Sequence, residues 1–146
     1  MRSGILNKDT PEGKLSLRSI RVTMTFRLEL FVTDLSASVD FYRRVLKFKV
    51  DEQESDDYTP MTNGQVSLSL NLHTGLPDDH PVKAARNERM GRGVEMVLEV
   101  NNIEAMYAHV LSTNWPLSSE LQRRPWGKTD FRLLDPDGYY WRITTF

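Results

Sequence analysis

The chain has 146 residues, no cysteine and a formal net charge of −1 at pH 7. That length suits one domain with a sizeable core. The missing cysteines exclude disulfides, thiolate metal sites and a thiol nucleophile, which fits a reducing, cytoplasmic setting. The near-neutral charge offers no field for nucleic acid or an anionic membrane surface, and no apolar run approaches the roughly 18 residues of a membrane span.

Residues 1–24 hold scattered Lys and Arg, a Thr10-Pro11-Glu12-Gly13 turn and few large apolar residues in a regular pattern. They lack the apolar centre of a signal peptide and read as a poorly ordered extension or leader. A single domain is expected over 25–146. Its first element is a strand in which Leu28, Leu30 and Val32 alternate with Arg27, Glu29 and Phe31. Asp34 or Ser36 then suits a helix N-cap, and Leu35, Val39, Tyr42, Val45 and Leu46 follow at helical spacing. Three strands are expected next, over 48–53, 58–61 and 65–72, with a hairpin turn at Thr62-Asn63-Gly64 between the last two.

Residues 73–93 are polar and carry Gly75, Pro77, Pro81, Gly91 and Gly93, which reads as a linker with a helical turn over 82–90. Connections this long are uncommon unless they do something, such as covering a pocket. The plan of the first half then repeats. Aligning Asp34 with Asn102 places Met96, Leu98 and Val100 on Leu28, Leu30 and Val32, and Ile103 on Leu35. Ile103, Met106, Tyr107, Val110 and Leu111 form one helix face, and strands follow over 117–121, 130–134 and 139–146. The Asp135-Pro136-Asp137-Gly138 turn joins the last two. Each repeat, 26–72 and 94–146, is therefore strand, helix, strand, strand, strand.

The segment from Leu30 through Val32-Thr33-Asp34-Leu35-Ser36 to Phe41-Tyr42 resembles the opening signature of the glyoxalase/bleomycin-resistance/extradiol-dioxygenase (vicinal oxygen chelate) superfamily. The segment from Phe131 through Asp135-Pro136-Asp137-Gly138 to Ile143 looks like its closing one. The resemblance spans roughly 26–146. It implies an α+β fold in which two βαβββ repeats curl into a half-open barrel, or cup, with helices outside and a concave face that holds ligand or metal. On that division Arg27, Glu29, Phe31, Glu95, Val97 and Glu99 face the cup, and Tyr140, Arg142 and Thr144 share a face. Trp141 points to the helices as core.

Metal-dependent relatives, by the same resemblance, take ligands from the first and last strands of each repeat. The first-strand positions lie seven residues before the aspartate ahead of the helix, which gives Arg27 and Glu95 here. The last-strand positions fall on Ser69 or Asn71 and on Arg142. Only Glu95 is a good donor, because a guanidinium has no lone pair and stays charged. No metal and no other cofactor is expected, and the resemblance is nearest to metal-free bleomycin-resistance-like members. Arg27, Glu95 and Arg142 would instead converge, either as an ion-pair network filling the hole or as a floor that binds an anion through an arginine fork.

Other chemistry is sparse. Asp78, Asp79 and His80 could hold a cation but read as a solvated loop. His109 sits off its helix's apolar stripe and is expected to be exposed without a role. No nucleophile-elbow, phosphate-loop or dinucleotide motif occurs. Trp126, in Arg124-Pro125-Trp126-Gly127, could stack on a planar ligand with Phe31 and Tyr140. The expected ligand-binding set is thus Arg27, Glu29, Phe31, Asn71, Glu95, Trp126, Tyr140 and Arg142. It belongs to a metal-independent small-molecule binding protein that sequesters a drug or an aromatic or charged metabolite. The alternatives are a lyase, isomerase or dioxygenase of the same superfamily, metal-dependent or with Glu95 as base, and a purely structural or partner-binding domain. The resemblance also implies a homodimer.

Overall fold

The computed structural model describes residues 23–51 and 55–146. The expected leader therefore lies, but for its last two residues, outside the described residues. So does the end of the strand expected over 48–53, of which Lys49–Val50 is strand among the described residues.

Two modules of the same plan follow one another. The first comprises β1 (Leu28–Val32), α1 (Leu35–Asp40, continued by one wider π-helical turn, Phe41–Val45), β2 (Lys49–Val50), β3 (Tyr58–Asn63) and β4 (Val66–Leu72). The second comprises β5 (Met96–Val100), α2 (Ile103–Ser112), β6 (Ser119–Arg123), β7 (Thr129–Leu134) and β8 (Tyr140–Thr145). Each forms a mixed four-stranded sheet, ordered β1-β4-β3-β2 and β5-β8-β7-β6, with the first strand parallel to the last. The fold is thus the two-module α+β cup; neither sheet closes into a barrel.

The helices start where the sequence places caps. The Asp34 carboxylate accepts the Ala37 N–H at 3.0 Å, and the Asn102 amide oxygen accepts that of Ala105 at 3.0 Å. The wide turn after α1, closed by Leu46 N–H donating to the Phe41 carbonyl, puts Phe41, Tyr42 and Val45 all in the core. The β3–β4 hairpin turns at Gly64 and Gln65, one step later than expected, because Asn63 still pairs with Val66. Gly64 supplies the positive φ, +55°, that this tight turn requires.

Alternation of apolar and polar residues decides the faces. Leu30, Val32, Leu68, Leu70, Met96, Phe131, Leu133, Trp141 and Ile143 are buried beneath the helices with Phe41, Tyr42 and Val110. The modules are joined at that core. Trp141 Nε1–H donates to Tyr42 Oη at 3.1 Å, and Tyr42 O–H donates to Asp135 Oδ2 at 2.6 Å. Tyr139 O–H donates to the Phe31 carbonyl at 2.8 Å, and Thr33 Oγ1–H to Asp137 Oδ1 at 2.6 Å. His109 is not idle, as expected from sequence, but half-buried: its Nε2 meets the Arg44 carbonyl at 2.8 Å and ties α2 to the first module.

The linker is the largest departure. No helix forms over 82–90; one 3-10 turn, His73–Gly75, is followed by successive turns. Within 82–90 Asn87 adopts a left-handed φ of +66°, which interrupts any helical run.

Candidate functional site

Strand alternation and ladder register place the expected residues on the two sheet faces turned away from the helices. On the first, Glu29 stands beside Ser69 and Phe31 beside Asn71. Both oxygens of Glu29 are engaged: Arg27 Nε–H donates to one at 2.9 Å and Asn71 Nδ2–H to the other at 2.9 Å. On the second, Arg142 pairs with Glu95 at 2.9 Å. The three-residue cluster expected of Arg27, Glu95 and Arg142 is therefore two separate groups. Arg27 spends its charge on its near neighbour Glu29, two residues along the same strand.

Trp126 lies apart from both groups, at the tip of the β6–β7 hairpin and 57% exposed. No ring contact joins it to Phe31 or Tyr140 among the described residues.

The second sheet carries a group that the sequence reading passed over. Asp130 is fully buried on β7, where Arg124 NH2 reaches it at 2.7 Å and Arg132 Nε at 3.2 Å. Burial alone would raise its pKa, but the hydrogen bonds from Arg132 and Arg124 hold it below the usual carboxylate range. Arg132 also donates to Tyr140 Oη at 3.1 Å and stands directly opposite Arg142 in the β7–β8 ladder. Like charges at opposed positions repel, so this face depends on its anions. Three guanidiniums (Arg124, Arg132, Arg142) meet two carboxylates (Asp130, Glu95), and the buried Arg142 Nε has no partner. The signal was available: alternation from the core residues Phe131 and Leu133 puts Asp130 and Arg132 on the face of Tyr140 and Arg142.

The donors at the superfamily's ligand positions do not fit a cation. Arg27 and Arg142 offer no lone pair, and the one good donor, Glu95, is already paired to Arg142. In the linker, His73 Nε2 accepts the Ala84 N–H and His80 Nδ1 that of Val82, while Asp78 pairs with Lys83. No group of three or more metal-ligating His, Asp or Glu residues occurs among the described residues.

A separate cavity of about 330 Å³ lies between the linker and the edge of β1, with Leu28, Leu30, Phe31, Val94, Met96 and Tyr139 in its wall. Glu29 and Phe31 thus border both the sheet face and this cavity.

The sequence matches the Glyoxalase/Bleomycin resistance protein/Dioxygenase superfamily over residues 24–143. The chain belongs to that superfamily. Solved structures share its fold. A glyoxalase/bleomycin resistance protein/dioxygenase from Nocardioides is 21% identical at a TM-score of 0.67, with 94% of this chain and 93% of that one covered. TioX from Micromonospora sp. ML1 is 18% identical at a TM-score of 0.67, covering 84% of this chain and 98% of that one. Lactoylglutathione lyase from Agrobacterium tumefaciens is 17% identical at 0.63, covering 86% and 96%. No curated protein matches the chain.

Proposed function

We propose that the chain is a metal-independent small-molecule binding protein that sequesters an aromatic or charged ligand on the concave face of its second sheet. The observation that carries this reading is the Glu95–Arg142 ion pair at two positions where metal-dependent relatives would hold a cation. Beside it, Arg132 and Arg142 offer donors in fork geometry, and Tyr140 offers an apolar ring with a polar tip. The buried Arg142 Nε, which has no hydrogen-bond partner among the described residues, favours an anion. Binding needs no reactive group. On this face Asp130 is held by two arginines and Glu95 by one.

The test has two parts. Metal analysis of the purified protein is expected to show no stoichiometric nickel, zinc or iron; one equivalent of any of them overturns the reading. Calorimetric titration with a fused-ring aromatic acid, 2-naphthoate, is expected to show binding that Arg132→Gln and Arg142→Gln each weaken about tenfold, which is about 1.4 kcal/mol. Undiminished binding in both variants removes the concave face from the proposal. The reading also includes a cytoplasmic location and a homodimer.

A further inference from the structure

The linker over residues 76–95 is not a loose connector. Lys83 Nζ–H donates to the Leu76 carbonyl at 2.9 Å, and His73 Nε2 accepts the Ala84 N–H at 2.9 Å. Arg89 NH2 donates to the Gly138 carbonyl at 3.3 Å, and Tyr139 O–H reaches Met90 Sδ at 3.8 Å. Gly91 lies flat on the Tyr139 ring, where an added Cβ would come within 2.5 Å of Cδ1. The segment is thus fastened to both modules, to the end of β4 and to the turn before β8.

What it roofs is the 330 Å³ cavity, whose floor is the open edge of β1 and the start of β5. At roughly 30 Å³ per water-sized group, this holds a molecule of about ten heavy atoms. The walls are mostly apolar, and the rim is charged. Among the described residues the rim carboxylates are engaged: Glu29 by Arg27 and Asn71, and Glu88 by the Ala85 N–H at 2.7 Å. Lys83 is paired with Asp78. Arg89 and Arg92, which also line the cavity, have no carboxylate partner among the described residues.

We propose that this cavity is a second binding site that takes a small apolar acid, its body along Leu28, Leu30 and Met96 and its carboxylate on Arg89 and Arg92. The site is distinct from the concave face of the second sheet, and none of the arginines there lines it. An aliphatic or aryl tail is driven in by burial of apolar surface, and the two guanidiniums, which have no carboxylate partner among the described residues, select an acid over an amine of equal length.

Octanoate, octanol and octylamine are matched probes of the right size. In calorimetric titration of the full chain, octanoate is expected to bind at least tenfold more tightly than octylamine. The double variant Arg89→Gln, Arg92→Gln is expected to erase that preference while octanol binding, which needs the roof but not the charges, is kept; both positions are exposed. Ala84→Trp, which fills the cavity from its roof, is expected to weaken octanoate and octanol alike. With methyl-labelled methionine, octanoate is expected to shift the Met90 and Met96 signals and leave Met61, in the core, and Met106, away from the cavity, in place. No binding at millimolar octanoate, equal binding of acid and amine, a preference that survives in the double variant, or a shift confined to Met106 each overturns the proposal. None of these readouts involves Arg132 or Arg142, so failure here and failure of the concave-face reading are separable.

Discussion

Asp135 shows how one side chain can hold two modules together and also make their union depend on pH. Its carboxylate is 4% exposed and accepts hydrogen bonds from Tyr42 O–H and from the N–H groups of Asp137 and Tyr139. Burial nevertheless dominates those bonds and pushes its pKa up to about 6. It also pushes up Tyr42 and brings Tyr139 to about 12. For Asp135 the folded pKa exceeds the unfolded one, 3.8. Its stabilising contribution is therefore complete below 3.8 and is lost as pH rises through about 6. Urea unfolding at pH 5 and pH 7 is expected to show the native chain about 1 kcal/mol more stable at pH 5 relative to Asp135→Asn, in which this gain is absent. A pH dependence unchanged by the substitution would remove Asp135 as the source. Asp130 acts in the opposite sense and at lower pH. Its depressed pKa gives stability that is present above the unfolded value and fades as pH falls through the folded one. The Asp135 turn was legible in the sequence only as a turn. That its first carboxylate bonds Tyr42, 93 residues away, depends on how the modules pack, which local pattern does not encode.

Among the elements, those with a strong local rule could be read directly, and those without one could not. Period-two alternation located β1 and β5 and their faces, and two capping residues located both helix starts. Strand ends drifted by a residue or two: β6 runs Ser119–Arg123 where 117–121 was expected. Sheet pairing, with an irregular register between Ser119 and Gln122, decides those ends. The helical turn expected within the linker, over 82–90, does not form, because its apolar residues Val82 and Met90 touch the cavity and Tyr139 rather than a shared helix face. Its length, which suggested a cover, was the better guide. Gly91 and Gly93 separate two causes of cost in this segment. Both have positive φ, +74° and +80°, but only Gly91 is pressed against a side chain. Gly93→Ala is expected to lose about 1 kcal/mol for backbone conformation alone. Gly91→Ala adds displacement of the Tyr139 ring and is expected to lose at least about 1 kcal/mol more in the same thermal or urea unfolding measurement. Equal losses would mean that the linker yields at no cost.

For the molecule as a whole, the repeat was the strongest sequence signal, and it set the architecture. The site was less legible, because the repeat fixes which face a residue shares but not which charged neighbours reach one another. Arg27 turned to Glu29, and Arg142 to Glu95. The same molecule leaves apolar side chains uncovered along its first-strand edges: Phe26, Val94, Val97 and Phe146 are 80%, 55%, 41% and 69% exposed. β1 and β5 are both edge strands, and such edges invite pairing unless they are covered. These features support the proposed homodimer. Light scattering on the eluting protein is expected to give twice 16.9 kDa, and Val97→Arg is expected to shift the mass towards one chain. A wild-type mass of one chain would overturn it.

The two modules are built to one plan, so the hollow at the first-strand edge of one has a counterpart in the other. The edge of β1 faces Tyr139, which leads into β8; the edge of β5 faces Gln65, which leads into β4. Yet a chain of two copies has only one join. The linker that crosses the β1 cavity has no twin over the β5 hollow, where Val97 and Phe146 form part of the wall instead. A doubled fold is thereby rendered one-sided by its own connectivity. The two equivalent hollows are free to diverge, one crossed by the linker and the other not, without any change in the elements that frame them.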